Sequence, residues 1–151
     1  MSKTYRAIDI AKWFIAWADD EDAVTNMKLQ KLLYYAQGHH LRAAGEPLFN
    51  DKIQAWSHGP VVPVVYYELR DAGSKPLKLD DEDPFKWDDI DEDTSRFLAQ
   101  VWNTYGGFTA ARLRNMTHEE DPWVDAWGDG DLSGALITKE AIQRYFAKLD
   151  R

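Results

Sequence analysis

The chain has 151 residues, no cysteine and a formal net charge of −8. This length predicts a single domain, residues 1–151, that can bury a core of its own, and the lack of cysteine excludes disulfides, thiolate metal sites and thiol nucleophiles. The excess of acidic residues disfavours a nucleic-acid ligand, because phosphate backbones are repelled, and favours a basic protein partner.

The first predicted helix runs from Ile8 to Ala18, and its apolar residues recur at helical spacing around most of its circumference. Asp9 and Lys12 interrupt this apolar stretch, and no small-residue cleavage site follows. The segment therefore predicts neither a signal peptide nor a membrane span, and together with the lack of cysteine it indicates a cytoplasmic protein. The acidic residues 19–22 are expected to form a polar break.

The second predicted helix, about residues 26–44, is the element around which the rest of the chain is expected to pack. Thr25 or Asn26 can cap its first turn, and Gly45 can end it in the left-handed conformation. Its circumference is mostly apolar, which is typical of a central helix. Gly38 costs roughly 1 kcal/mol against alanine in mid-helix, so it indicates another backbone packed closely there. The edge predicted to be wet carries Lys28, Lys31, His39 and Arg42.

A short extended segment and a third helix follow the central helix. Residues 53–56 alternate over too few positions to establish a strand, which leaves a short strand pair as an open alternative. The next valines favour a strand by propensity, but Pro63 lies among them and cannot donate to a ladder. We therefore expect a helix with Pro63 in its first turn, Gly59-Pro60 as the preceding turn, and Gly73 as its cap.

A long acidic loop is predicted at residues 77–93, with Phe85 and Trp87 as apolar anchors. Residues 1–76 carry nine basic and nine acidic side chains, whereas residues 77–151 carry nine basic and seventeen acidic ones. The whole negative excess therefore lies in the second half of the chain. Acidic runs are commonly solvated loops that aid solubility, and their alternative role is to attract a basic partner.

Four further helices complete a fold that is mostly α, a single helical domain around the central helix. They are predicted at 94–105, from Thr109 to Met116, from Asp121 onward with Pro122 at its first position, and after Ile137. The predicted caps of these helices are Asp93, Thr109, Asp121 and Thr138.

Histidines and carboxylates offer the remaining route to an enzyme. His39 and His40 are adjacent on a helix and diverge by about 100°, so they lack the i, i+4 spacing of a zinc helix. His118 lies among acids at a helix start, which the helix dipole explains without a metal. Ser57 and His58 are adjacent, and such neighbours rarely point at one reacting atom. The sequence therefore predicts no catalytic residue, no metal and no cofactor.

The seven tryptophans and seven tyrosines are many for this length, and both residue types dominate interface hot spots. Apolar contexts predict core positions for Trp13, Trp17, Trp56 and Trp102. Trp87, Trp123 and Trp127 lie among acidic residues, which makes them better candidates for exposed anchors.

Four sequence blocks occur in order and with plausible spacing. They are NMKLQKLLYYAQG at 26–38, PLF at 47–49, AWSHGPVVP at 55–63, and Thr117-His118 followed by Asp121-Pro122-Trp123. Together they resemble the Panacea domain, a family that includes SocA-like antitoxins and phage-associated GepA-like proteins. The resemblance extends from about Tyr5 to Phe146.

The resemblance implies an antitoxin of a toxin–antitoxin system, which silences a cognate toxin, usually encoded by the adjacent gene, through direct protein–protein contact. Toxins of the family are diverse, and at least one relative implies a second role, as an adaptor that delivers its toxin to a protease. The chain has no room for the DNA-binding domain of longer members, so direct binding to an operator is not expected. The acidic charge and the lack of a predicted membrane span also make nucleic acid and a membrane unexpected ligands. Two alternatives stay open, a proteolytic adaptor and a small metal-dependent hydrolase.

A family that neutralises unrelated toxins is expected to keep its scaffold and vary its surface, so partner contacts are expected outside the motif. Positions predicted to be structural are Gly38, Trp56, Gly59, Pro60, His118, Pro122 and Trp123. Residues predicted to contact a partner are His39, Arg42, His58, Tyr67, Asp81, Glu82, Asp83 and Trp87.

Overall fold

The computed structural model describes residues 3–18, 23–131 and 133–149, and the predicted polar break at 19–22 lies outside them. The helices in the described residues are α1 (Ala7–Trp17), α2 (Asn26–Ala44), α3 (Pro63–Glu68), α4 (Glu92–Tyr105), α5 (Ala110–Thr117), α6 (Asp121–Trp127) and α7 (Lys139–Ala147). The strands are β1 (Ile53–Trp56), β2 (Gly59–Val61) and β3 (Ala135–Ile137). Short 3-10 turns occur at Arg70–Ala72 and Trp87–Asp89. The mostly helical fold class is confirmed.

Helix α2 has the predicted bounds and both predicted caps. The Thr25 hydroxyl accepts a hydrogen bond from the Lys28 amide at 3.2 Å, and Gly45 ends the helix with φ 72°. Helices α1, α3, α4, α5 and α7 and strand β2 all pack against it. Because neighbours surround it, α2 is buried on nearly every side, as the apolar circumference predicts.

Two buried glutamines tie the connecting segments to α2. The side-chain oxygen of Gln30 accepts a hydrogen bond from the backbone amide of Val62, which lies at the start of α3, at 2.8 Å. The side-chain oxygen of Gln37 accepts hydrogen bonds from the backbone amides of Leu48 and Phe49. The side-chain nitrogen of Gln37 donates to the backbone carbonyl of Phe49 at 2.8 Å. These bonds satisfy loop backbone groups that have no ladder or helix partner, so α2 fixes the path of the two segments that follow it in the chain.

Gly38 gives α7 room to pack against α2. The prediction of a close backbone is wrong, because the neighbour is the Phe146 side chain, whose ring would overlap a Cβ at Gly38. The Thr138 hydroxyl caps α7 by accepting from the Ala141 amide at 3.0 Å, as predicted. The small residue therefore serves a side-chain contact that draws α7 onto the central helix.

The strands form one antiparallel sheet in the order β2-β1-β3. The turn between β1 and β2 is Ser57-His58, so the prediction of a turn at Gly59-Pro60 is wrong. Pro60 lies instead in the edge strand β2, where its missing amide need not enter a central ladder. The predicted strand pair is thus present, and the third strand was not predicted.

Several local predictions are corrected by the packing. Lys31 is 1% exposed rather than on a wet edge. Trp17 is 47% exposed rather than in the core, whereas Trp13 is 1% exposed as predicted. Trp123 is buried rather than an exposed anchor. The cap of α4 is Asp91, whose carboxylate accepts from the Thr94 amide at 2.7 Å, rather than Asp93.

Candidate partner-binding surface

Three tryptophans from α1 and the acidic loop form one aromatic cluster. Trp13 and Trp17, one turn apart on α1, stack with ring centroids 4.9 Å apart and planes at 16°. Trp87 packs edge-on against both rings, with a centroid distance of 6.1 Å to each. Trp17 and Trp87 stay about half exposed. We call this cluster, with the neighbouring residues Asp81, Glu82 and Asp83, the tryptophan–acid surface.

The acidic loop is fastened to α1 and to the segment before α2. The Leu77 amide donates to the Val24 carbonyl at 2.7 Å, and the Leu77 side chain is buried. Farther along, Lys12 Nζ lies 3.2 Å from Asp83 Oδ1, and both side chains are largely buried. The Phe85 amide also donates to Asp83 Oδ1 at 2.9 Å. Trp87 is therefore presented by a loop whose path is fixed, and Asp81 and Glu82 are exposed on the same loop.

A second group of predicted partner-binding residues lines a groove between α2 and α4. His39 Nε2 and the Tyr105 hydroxyl are 2.7 Å apart, and Arg42 Nη2 lies 3.5 Å from His39 Nδ1. The groove has a volume of about 160 Å³ and includes Phe97 and Thr104. Burial, and then the Arg42 charge, lower the pKa of His39 to about 4, so the ring is neutral near pH 7.

A third group lies beside the hairpin of β1 and β2. His58 is exposed in the turn, and Tyr67 on α3 is 51% exposed. The Tyr67 ring lies 5.9 Å from the Trp56 ring, measured between centroids. The eight predicted residues thus divide among three places, and their contact with a partner stays a prediction.

The residues of the sequence motif converge on a packed junction between the hairpin, α2, α5 and α6. The Trp123 indole N–H donates to the Trp56 carbonyl at 2.8 Å, and His118 stacks on Trp123 with centroids 3.9 Å apart. Lys31 Nζ donates to the Pro60 carbonyl at 3.3 Å, and a Cβ at Gly59 would lie 2.6 Å from Lys31 Cε. These contacts, and the burial of Pro122, pack these motif residues against the core, and their structural role stays a prediction.

A buried carboxyl group at the centre of this scaffold was missed by the sequence reasoning. Glu120 precedes α6, and its side chain turns inward instead of capping that helix. The hydroxyls of Tyr34 and Tyr35 donate to its two oxygens at 2.9 and 2.8 Å. Burial raises the pKa of Glu120 to about 7, although the tyrosine hydrogen bonds oppose this shift. The available signal was the pair of adjacent tyrosines on a buried helix, since their hydroxyls need an acceptor.

We call Glu120 together with Tyr34 and Tyr35 the Glu120 site. This site continues toward the groove between α2 and α4. Tyr105 stacks on Tyr35 with centroids 4.1 Å apart and planes at 12°. Since Tyr105 also contacts His39, a continuous polar and aromatic path joins the buried carboxyl to the groove. In the part of the chain that the structure describes, no three histidine or acidic side chains are placed to hold a metal. Nor is any helix of that part long and apolar enough to cross a membrane.

The motif residues pack inward in this structure, whereas Trp17 and Trp87 stay about half exposed on its surface. Residues 29–124 match the family described as Antitoxin SocA-like, Panacea domain. The chain is 35% identical over 121 residues to Antitoxin SocA of Caulobacter vibrioides (strain NA1000 / CB15N), an alignment that covers 74% of this chain. The chain belongs to the SocA-like Panacea-domain family. It spans 64% of the length of that relative, and no solved structure matches it.

Proposed function

We propose that this protein is an antitoxin that neutralises a cognate protein toxin in the cytoplasm by direct protein–protein binding, and that the toxin is encoded by the adjacent gene. Membership of the SocA-like family and the similarity to Antitoxin SocA support the antitoxin role. The observation that carries the binding mode is the pair of half-exposed tryptophans, one of them on a loop that also carries exposed carboxylates. Direct binding needs no catalytic group on this chain.

The tryptophan–acid surface suits tight recognition because its aromatic rings are already ordered. Trp17 is stacked on Trp13, and Trp87 is fixed by the fastened loop. Few side-chain rotamers then remain to be frozen on binding, so less of the contact energy is lost to ordering. The exposed carboxylates steer a basic partner and raise the association rate, whereas burial of the indoles sets the lifetime of the complex.

Co-expression with the adjacent gene tests this proposal. We expect this protein to restore growth to cells that express the neighbour, and the two proteins to co-purify at low and at raised salt. Raised salt is expected to slow association while leaving most of the complex intact. Failure to form a complex at either salt, or toxicity that persists in the presence of this protein, would show that the pair is not toxin and antitoxin.

The half-life of the toxin in cells separates two modes of neutralisation. Blocking or sequestration leaves the toxin as long-lived as before, or longer-lived. A toxin that disappears faster when this protein is present, and only in cells with an intact protease, would assign the protein as an adaptor. Pulse–chase measurement of the toxin with and without this protein distinguishes the two outcomes.

A further inference from the structure

We infer that the tryptophan–acid surface binds a basic segment of the partner protein, with an arginine or lysine side chain lying against the exposed indoles of Trp17 and Trp87. The inference deepens the proposed function and rests on it for the identity of the partner as a toxin. The chemistry of the segment, however, follows from the surface itself.

The geometry of the indoles favours a cation that is flanked by methylene groups. The planes of Trp17 and Trp87 meet at 82°, so their exposed parts form the two walls of a corner rather than one flat patch. An indole face attracts an ammonium or guanidinium group through its quadrupole, and the methylene stem of the same side chain covers apolar ring surface. Arginine suits such a corner best, because its planar guanidinium can lie flat on a ring.

The charge around the corner excludes the other classes of ligand. The stretch 79–93 holds nine acidic residues and Lys86, so its net charge is −8, which equals that of the whole chain. Anionic lipid surfaces and nucleic acids are repelled by this field. A purely apolar partner would cover Asp81 and Glu82 without pairing them, at a desolvation cost that a basic segment avoids.

The two kinds of loop carboxylate have different tasks. Asp83 is engaged by Lys12 within the chain, and Asp80 accepts a hydrogen bond from the Glu82 amide at 3.0 Å. These two acids shape the loop. The carboxylates of Asp81 and Glu82 are exposed, and Asp81 also lies at the rim of a groove of about 320 Å³ that runs beside Ile15. The exposed apolar surface of the two indoles favours a segment with mixed basic and apolar residues.

A short fluorescent peptide with arginines separated by apolar residues is the probe for this surface, and fluorescence anisotropy measures its binding to the full chain. We expect the double variant Trp17→Ala/Trp87→Ala to bind about tenfold more weakly than the wild type, from two exposed cation–π contacts. The double variant Asp81→Lys/Glu82→Lys changes only exposed side chains, so it retains the fold. It is expected to weaken binding at least as much at low salt, and less at raised salt.

Matched variants elsewhere on the chain control for non-specific attraction. Leu136→Ala removes another half-exposed apolar side chain, and Asp129→Lys/Asp131→Lys makes the same charge change in the other acidic run. Both are expected to bind the arginine peptide within about twofold of wild type. The inference is overturned if the controls lose as much affinity as the surface variants, if the tryptophan variant binds normally, or if a glutamate version of the peptide binds equally well.

The outcome is separable from that of the co-expression experiment. If peptide binding depends on Trp17, Trp87 and the two acids but no complex forms with the neighbouring protein, the basic-segment inference is upheld. The assignment of the neighbouring protein as the toxin is then overturned. A neighbouring protein that binds and is neutralised by the tryptophan variant as well as by the wild type upholds the antitoxin role and overturns this surface as its site.

Discussion

The tryptophan–acid surface and the Glu120 site are built from the same kinds of residue and behave differently. At the surface, half-exposed indoles accompany loop carboxylates that face water. At the Glu120 site, two tyrosine hydroxyls bind a carboxyl that is 8% exposed and whose pKa is raised to about 7. Access to water therefore decides whether an acid beside aromatic rings acts as a charge that attracts a partner or as a hydrogen-bonded part of the core.

The comparison also separates stability from binding. Variants at the Glu120 site should change the free energy of unfolding, whereas variants at Asp81 or Glu82 should change mainly the interaction with a partner.

The largest effect is expected from the double variant Tyr34→Phe/Tyr35→Phe. It removes both hydroxyls that donate to Glu120 and leaves a buried acceptor without partners. A hydrogen bond to a charged group contributes about 2 kcal/mol, so we expect a loss of about 4 kcal/mol in the free energy of unfolding at pH 8. The loss should be smaller at pH 5, where the carboxyl takes up a proton. Urea unfolding at the two pH values measures both quantities, and equal losses would show that the hydroxyls do not stabilise the ionised form.

The variant Glu120→Gln is expected to remove part of the pH dependence of stability. Burial raises the pKa of Glu120 in the folded state from 4.5 to about 7, so the folded state holds a proton more tightly than the unfolded state. The resulting stabilisation is fully present below pH 4.5 and is lost as pH rises through 7, by about 3 kcal/mol in total. The glutamine variant should lack this decline and be the more stable protein at pH 8. Glu119→Gln changes the exposed neighbour and should keep the decline; if both variants behave alike, Glu120 is not the group responsible.

A smaller loss, about 2 kcal/mol, is expected from Gly38→Ala. The added methyl group overlaps the Phe146 ring, so α7 must shift, and overpacking of this kind outweighs the better helix propensity of alanine. Gly107→Ala is the matched control, because nothing lies within 4 Å of a Cβ there. Thermal unfolding compares the two. A Gly38→Ala protein as stable as wild type would mean that Phe146 can move aside without cost.

Features that depend on neighbouring residues in the sequence could be predicted, and features that depend on distant ones could not. The caps at Thr25, Thr109 and Thr138 were predicted because a side-chain oxygen and the free amides of the next turn are close in sequence. Helical spacing places Trp13 and Trp17 on one face of α1, but it does not show that Trp13 is buried and Trp17 half exposed.

The burial of Lys31 and Glu120 could not be predicted, because it also depends on residues that are distant in sequence. The local pattern of α2 puts Lys31 on a polar edge. The hairpin of β1 and β2 packs over this edge and buries Lys31, whose Nζ donates to the Pro60 carbonyl. Asp121 satisfies the usual sequence rule for the cap of α6, yet Glu120 precedes the helix and turns toward two tyrosine hydroxyls more than 80 residues away in sequence. A partner at that separation leaves no local pattern.

The smallest effects on stability are expected at the loop acids Asp81, Glu82 and Asp83. These residues also give the sharpest test of the division between stability and binding. Asp81→Asn/Glu82→Gln should leave the free energy of unfolding within about 0.5 kcal/mol of wild type, because both side chains are exposed. Its effect should fall on the association rate with the partner and fade as salt is raised.

Asp83→Asn instead removes a carboxylate that is engaged within the chain by Lys12, at a cost of about 1 kcal/mol. Because that pair fastens the loop that carries Trp87, the variant should release a bound partner faster, with an association rate changed less than in Asp81→Asn/Glu82→Gln. Stopped-flow or surface-plasmon measurement of both rate constants distinguishes the two variants. If Asp83→Asn acts only on the association rate, the ion pair does not order the tryptophan–acid surface and Asp83 belongs with the steering charges.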